Sequence, residues 1–377
     1  MLAERLMAYD TSSPDGLRAG AEFVRAWLEA RELEVRHIDH NGLPVLLAET
    51  GPLDGPVVIL HGHLDVVPAF EEQFTPVIDG DRLIGRGAYD MKGGLAAMMC
   101  AVHDATAQDA VRVRFVCVPD EESEDVDDRS TDSLVNDGTL DADFAITGEP
   151  TDLHIGVQAK GVLAIRVEVR GLAAHGSTPW LGDNAILKSH DIFRRIETLP
   201  FSRESSDLFD RPSINLSRIM GGDAFNKVPD RCGMDVDIRY LPGQDADEIL
   251  AQIADLPDVE IIRSFQRRPA IVSRSNPFVL ALRDAVSRSV EGEALSIGRD
   301  GASDAISFLE AGIPAVEFGP VGGGHHGPEE WVSISSLARY RRALGDFVLG
   351  LPAHLAQEES APAQLRAVDG GASSASG

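Results

Sequence analysis

The sequence predicts an α/β protein: a mainly parallel sheet layered with helices, interrupted by an inserted ferredoxin-like domain of order β-α-β-β-α-β. Three observations carry that reading. Over the first 150 residues short apolar runs alternate with helical periodicity, the pattern of a sheet layered with helices. Over 161–274 clean apolar–polar alternation appears, the mark of a sheet with one wet face. From 275 to 351 the first pattern returns, so the middle domain interrupts the larger one. A chain of 377 residues is long enough for two domains at roughly 150 residues each.

Each element has its own signal. Ala19 to Ala30 carries Phe23, Trp27 and Leu28 on one helical face. Val57 to Leu60 and Val113 to Val118 are short and apolar, as buried parallel strands are. Gly93 to Ala105 reads as a helix after a Gly-Gly entry, and Asp143 to Ile146 as a strand ending before Gly148-Glu149-Pro150. In Val162 to Arg170, Ile165, Val167 and Val169 face one side, and Arg166, Glu168 and Arg170 the other. Asp183 to Leu199 reads as a helix with Asp183 as its N-cap. Ser213 to Ile219 and Arg231 to Tyr240 are strands, Asp245 to Asp255 a helix, and Val259 to Phe265 the closing strand. Pro277 to Val290 and Ala302 to Glu310 are helices, and Ala315 to Phe318 is a strand. Residues 352–377, rich in Ala, Ser, Gly and Gln, read as a disordered tail.

Composition narrows the function. A net charge of −27 argues against nucleic acid or an anionic membrane as partner. No apolar run approaches the roughly 20 residues needed to span a bilayer. The first ten residues lack a basic start and an apolar core, so a cytoplasmic location is expected. Cys100, Cys117 and Cys232 have no zinc-finger or redox spacing and read as reduced, buried thiols. Only Lys92, Lys160, Lys188 and Lys227 are lysines, which fits either a high-salt habitat or a biased genomic base composition.

The chemistry lies at strand ends. His63 follows an apolar run and stands two residues before Asp65, a carboxylate able to fix the tautomer of a ligating imidazole. Asp90 precedes a helix, Glu121 and Glu122 follow the Val113 strand, and Glu149 follows the next. His325 and His326 come after the strand at Ala315. Ligands of open parallel sheets bind beyond the carboxyl ends of the strands. Singly, each residue has an ordinary alternative: Asp90 a helix cap, Glu121 and Glu122 a solvated acidic loop, Glu149 a loop acid, either histidine a surface residue. Five such coincidences make the ordinary reading improbable. Two histidines and three carboxylates suit two zinc-like ions sharing one bridging carboxylate, with a neighbouring acid left as general base.

Longer strings sharpen this. Gly62-His63-Leu64-Asp65-Val66-Val67-Pro68, Arg86 to Gly94, Asp120-Glu121-Glu122, Gly148-Glu149-Pro150-Thr151, His175 with Pro179 and Asn184-Ala185-Ile186, Gly221 to Pro229, and His326-Gly327-Pro328-Glu329-Glu330 occur in order. In these residues the chain resembles the dinuclear zinc deacylase and peptidase family of acetylornithine deacetylase, succinyl-diaminopimelate desuccinylase, aminoacylase and glutamate carboxypeptidase. The resemblance implies an aminopeptidase-like catalytic domain (1–160 and 275–351) and an inserted lid and dimerisation domain (161–274). It implies two divalent ions, zinc or cobalt, one held by His63, Asp90 and Glu149 and the other by Asp90, Glu122 and His326. Asp65 would orient His63, Glu121 would be the base, and a cis peptide would follow Asp90. His175 would reach the active site of a partner in a homodimer and stabilise an oxyanion. Asn226 and Arg239 would grip a substrate carboxylate, and Ser303 and Gly323 would line the pocket. The implied activity is cleavage of a small N-acyl amino acid, or alternatively that of a dipeptidase or carboxypeptidase acting on a C-terminal residue; a non-catalytic binding protein on the same scaffold is the remaining reading. The acidic run after Glu122, the missing tryptophan before Phe74-Thr75-Pro76 and the missing glycine after Pro68 depart from the family pattern and bear on substrate identity.

Overall fold

The structure, a computed structural model, describes residues 1–123, 129–289, 295–301 and 304–360. The chain divides into two units. The first comprises Met1–Ile155, Val272–Ser296 and the chain from Ser307 onward; the second comprises Gly156–Ile271 and Ile297–Ile306. The short piece around residue 300 thus groups with the inserted unit, whereas the sequence pattern assigns it to the returning larger domain.

In the first unit the His63 strand, Val57–His63, lies at the centre of the sheet. It pairs in parallel with Arg112–Val118 on one side and Phe144–Thr147 on the other. Ala315–Glu317 adds a further parallel strand beside Phe144–Thr147. The opposite edge is an antiparallel hairpin, Val35–His40 with Leu43–Thr50, the latter also antiparallel to Arg112–Val118. Its turn is Asn41-Gly42, both residues at positive φ, the signature of a tight hairpin that suits strand twist. The helix Lys92–Asp104 is buried almost throughout, with Leu95, Met98, Met99 and Val102 inaccessible to solvent. A helix apolar on all sides belongs inside a core.

The central strand runs beyond Leu60 and takes in His61, Gly62 and His63. Gly62 leaves room for Met91: a Cβ would come within 2.5 Å of the Met91 Cε methyl and would push that methyl aside. That close approach packs the segment after Asp90 directly onto the strand that carries His63.

The second unit holds a four-stranded sheet in the order Ser213–Gly221, Arg231–Tyr240, Gly161–Arg170, Val259–Arg267, every pairing antiparallel. Numbered along the chain the order is 2-3-1-4, the ferredoxin-like arrangement. Leu163, Ile165, Val167, Met234, Val236 and Ile238 form the inner face and pack against Ile192, Ile249 and Ile253 of two helices. The outer face carries charges instead, including Arg166 paired with both oxygens of Asp235 at 2.6 Å.

Two expectations need correction. The helix after residue 183 is Ala185–Ile196, and its N-cap is Asn184, whose Oδ1 accepts from the N–H groups of Ile186 and Leu187. Asp183 instead forms a backbone bridge with Leu172 and an ion pair with Lys188. The final helix, Ile334–Ser360, extends past Leu351, so residues 352–360 of the expected tail are helical. Its remainder lies outside the described residues. Among the described residues no helix is long and apolar enough to cross a membrane. Replacing Asn184 by Ala should lower stability in urea unfolding by about 1 kcal/mol through the lost cap, whereas Asp183→Ala should cost no more than roughly 0.5 kcal/mol.

Candidate metal centre

His63 is almost fully buried at the end of its strand. Its Nδ1 lies 2.9 Å from the main-chain carbonyl of Asp65 and 3.4 Å from the Asp65 Oδ1. The nearer support is therefore the Asp65 backbone, with the carboxylate behind it. A carbonyl only accepts, so Nδ1 carries the proton and Nε2 of the neutral ring presents its lone pair. Asp65 also braces a neighbouring loop. Its Oδ2 accepts from the Glu122 N–H at 2.7 Å, tying the segment after Arg112–Val118 to the His63 strand.

Asp90 occupies the middle of the cluster. Its Oδ1 is 3.1 Å from His63 Nε2, and its Oδ2 is 3.4 Å from His326 Nε2. Glu149 Oε1 stands 3.8 Å from His63 Nε2, and Glu122 Oε1 stands 2.8 Å from His326 Nε2. Ligand atoms of His63, Asp90 and Glu149 all fall within 4.8 Å of one another, as do those of Asp90, Glu122 and His326, and those of His63, Glu121 and Glu122. This donor set fits two divalent cations: imidazole nitrogens, carboxylate oxygens, no thiolate, and one carboxylate turning an oxygen to each group. The peptide between Asp90 and Met91 is cis. His326 has φ 61°, a left-handed backbone rare outside glycine. His325 packs against Tyr89 and belongs to none of these groups.

The two adjacent acids diverge. Glu122 turns to His326, while Glu121 Oε1 accepts from Arg129 Nη1 at 3.2 Å. Their side chains are 13% exposed for Glu121 and 12% for Glu122, so neither belongs to a solvated loop.

Electrostatics agree with the donor chemistry. Burial opposes a charge on His63, yet the Asp65 and Asp90 carboxylates hold its pKa well above the ordinary value. His326 is raised to about 10, first by its bond to Asp90 and then by Glu122. Burial opposes ionisation of Asp90, but the two imidazoles keep its carboxyl below the usual range. Glu149 moves the other way, pushed well up by burial and by the charge on Asp90. The cluster gathers positive charge wherever a side chain can take a proton. Two cations would supply that charge without protons.

The remaining candidates fall elsewhere. His175, Asn226 and Arg239 belong to the second unit. The Gly176 N–H donates to the Asn226 carbonyl at 2.6 Å, which brings His175 and Asn226 into one loop pair. His175 Nδ1 accepts from the Ser177 N–H at 3.1 Å, so the neutral ring carries its proton on Nε2. Arg239 is held by Asp237, with Nε and Nη2 at 3.1 and 3.2 Å. Gly323 sits in the short strand Gly322–Gly323 beside Trp331, in the first unit. Ser303 lies outside the described residues, as do residues 124–128 of the acidic run. Sequence reasoning misses Arg129 beside Glu121, and it misses Arg86 and Glu330, which surround the Asp90 loop. Nothing local separates the fully buried Glu330 from its exposed neighbour Glu329.

The model of peptidase family M20/M25/M40 matches residues 59–350. A putative succinyl-diaminopimelate desuccinylase of Mycobacterium tuberculosis is 31% identical over 308 residues, covering 80% of this chain and 83% of its own. Among solved structures, a tripeptidase from Staphylococcus aureus superposes with a TM-score of 0.77 at 21% identity, covering 93% and 97% of the two chains. An M20 family metallo-carboxypeptidase from Sulfolobus solfataricus gives 0.75 at 19% identity, covering 93% and 98%.

The raised histidine fixes a pH dependence for chelator-stripped protein. A folded pKa of about 10 against 6.5 means stabilisation that is complete below pH 6.5 and lost as pH rises through 10. The raised values of His63 and Glu149 act in the same direction. Thermal melts of stripped protein should fall across that window, His326→Gln should flatten the fall, and added divalent cation should abolish it.

Proposed function

The chain belongs to peptidase family M20/M25/M40 and is a hydrolase of amide bonds, and we propose that its substrate is a small N-acyl amino acid cleaved at a two-cation centre. The observation that carries this reading is Asp90, whose two oxygens face two separate histidine–carboxylate groups. His63, Asp90 and Glu149 would hold one ion; Asp90, Glu122 and His326 would hold the other. When bound, zinc or cobalt ions supply Lewis acidity toward the scissile carbonyl and the attacking water.

The side chains do the rest. Glu121 is the acid of the cluster left out of the paired ligand sets, so it takes the proton of the attacking water and returns it to the leaving amine. Arg129 grips one of its oxygens and so sets the orientation of the carboxylate. Asp65 holds His63 through its carbonyl and the Glu122 backbone through its carboxylate. His175 of a second copy donates Nε2–H to the developing oxyanion, and its tautomer supports that role. Asn226 and Arg239 take the substrate carboxylate, Arg239 exchanging its Asp237 contact for the stronger planar fork. Gly323 lines the pocket. The desuccinylase relative favours an acylated amino acid over a dipeptide.

A homodimer fits the second unit. Ser213–Gly221 is the edge of its sheet, and Ile219, Met220 and nearby Leu187 are exposed. Exposed strand edges with apolar side chains invite pairing. A cytoplasmic site agrees with three free cysteines.

Glu121→Gln should retain both ions in elemental analysis and lose about 10²- to 10⁴-fold in kcat. Near-normal turnover would remove Glu121 as the base. A panel of N-acetyl and N-succinyl amino acids and dipeptides identifies the substrate, and hydrolysis of dipeptides alone would overturn the acyl assignment. Leu187→Glu with Met220→Glu should give a monomer by light scattering and depress kcat if His175 acts between copies.

A further inference from the structure

Resting on the two-cation reading, we propose that Glu330 is a positioning residue that sets the bridging carboxylate and, through Arg86, the last histidine. Its side chain is completely buried. Oε1 accepts from the N–H groups of Tyr89 and Asp90 at 2.9 and 3.0 Å. Oε2 accepts from the Gly87 N–H at 3.0 Å and from Arg86 Nη1 at 2.7 Å. The Glu330 carbonyl also accepts from the Gly85 N–H at 2.9 Å. Glu330 therefore accepts from the backbone N–H groups of Gly85, Gly87, Tyr89 and Asp90, while those of Arg86 and Ala88 go to the Gln73 and Gly85 carbonyls.

The chemistry of those bonds dictates a carboxylate. Each oxygen takes two donors, so all acceptor capacity is filled. A carboxamide of the same shape would aim an NH₂ group at two of those donors, and donor facing donor makes no bond. Buried polar groups that lose an acceptor are costly, so the turn would shift to relieve them. Arg86 extends the clamp: its Nη2 donates to the main-chain carbonyl of His326 at 3.1 Å. His326 sits four residues before Glu330, in a left-handed backbone conformation that needs outside support. The buried ion pair thus joins the Asp90 turn to the His326 turn.

The two halves of the clamp have different readouts. Glu330→Gln disturbs the Asp90 turn, so both ions should be held more weakly, by about 10- to 100-fold each. Arg86→Lys keeps a cation for Glu330 but cannot also reach the His326 carbonyl in the same planar geometry. It should weaken one ion by about the same factor and leave the other within roughly twofold. Chelator competition on purified full-length protein measures both affinities, and thermal melts of the stripped proteins report folding separately. A role limited to stability would lower the stripped melting temperature in both variants and leave both affinities unchanged, which overturns the proposal. If Glu330→Gln does not fold, Arg86→Lys decides alone: selective loss of one ion supports the clamp, and equal or no loss overturns it. Wild-type protein that binds fewer than two ions overturns the two-cation reading together with this proposal. Two ions in the wild type with unchanged affinities in the variants overturn the proposal only.

Discussion

One carboxylate between two imidazoles is the constraint on which the rest depends. Asp90 turns one oxygen to His63 and the other to His326, while Glu149 stands beside His63 and Glu122 beside His326. Such crowding of acids in a buried space is costly unless positive charge enters. Burial and the neighbouring carboxylates raise the pKa of Glu149, and the carboxylates raise those of both histidines. Every nearby feature either holds those groups in place or makes room for them.

The scaffold does this with strand ends and turns. Three neighbouring parallel strands stop at the same edge of the sheet, delivering His63, the Glu121-Glu122 pair and Glu149. Gly62 lets Met91 lie against the central strand, so the turn bearing Asp90 sits close above it. The Asp65 carboxylate fastens the Glu122 loop across the gap between two strands. The Asp65 carbonyl anchors His63 at Nδ1, which leaves Nε2 facing Asp90.

Much of this is legible in the chain for a physical reason. Strand ends in a parallel sheet are marked by an apolar run followed abruptly by a polar residue, and His63, Glu121, Glu122 and Glu149 all announce themselves that way. The ferredoxin-like order of the inserted unit is equally readable from alternation in Gly161–Arg170 and Arg231–Tyr240. The Asn41-Gly42 turn carries a hairpin signal, but Val35–His40 is too polar to read as a strand beside it. Other features have no local signal. Asn184 and Asp183 are both good caps, and only the position of the first helical turn chooses between them. Glu330 and Glu329 are identical by composition; burial of one is decided by Arg86, far away in the chain.

The interleaving of the two units has a consequence for synthesis. Ala315–Glu317 pairs with Phe144–Thr147 only after the whole inserted segment has been made. Contacts of such long sequence separation form late and slowly. The inserted sheet, with its hairpin of Ser213–Gly221 and Arg231–Tyr240, is complete by residue 267 and can consolidate first. Until then the emerging strand Phe144–Thr147 has one flank uncovered, and His326 has not left the ribosome. A nascent chain therefore displays most of its strand-end acids before His326, the last imidazole of the cluster, has been made.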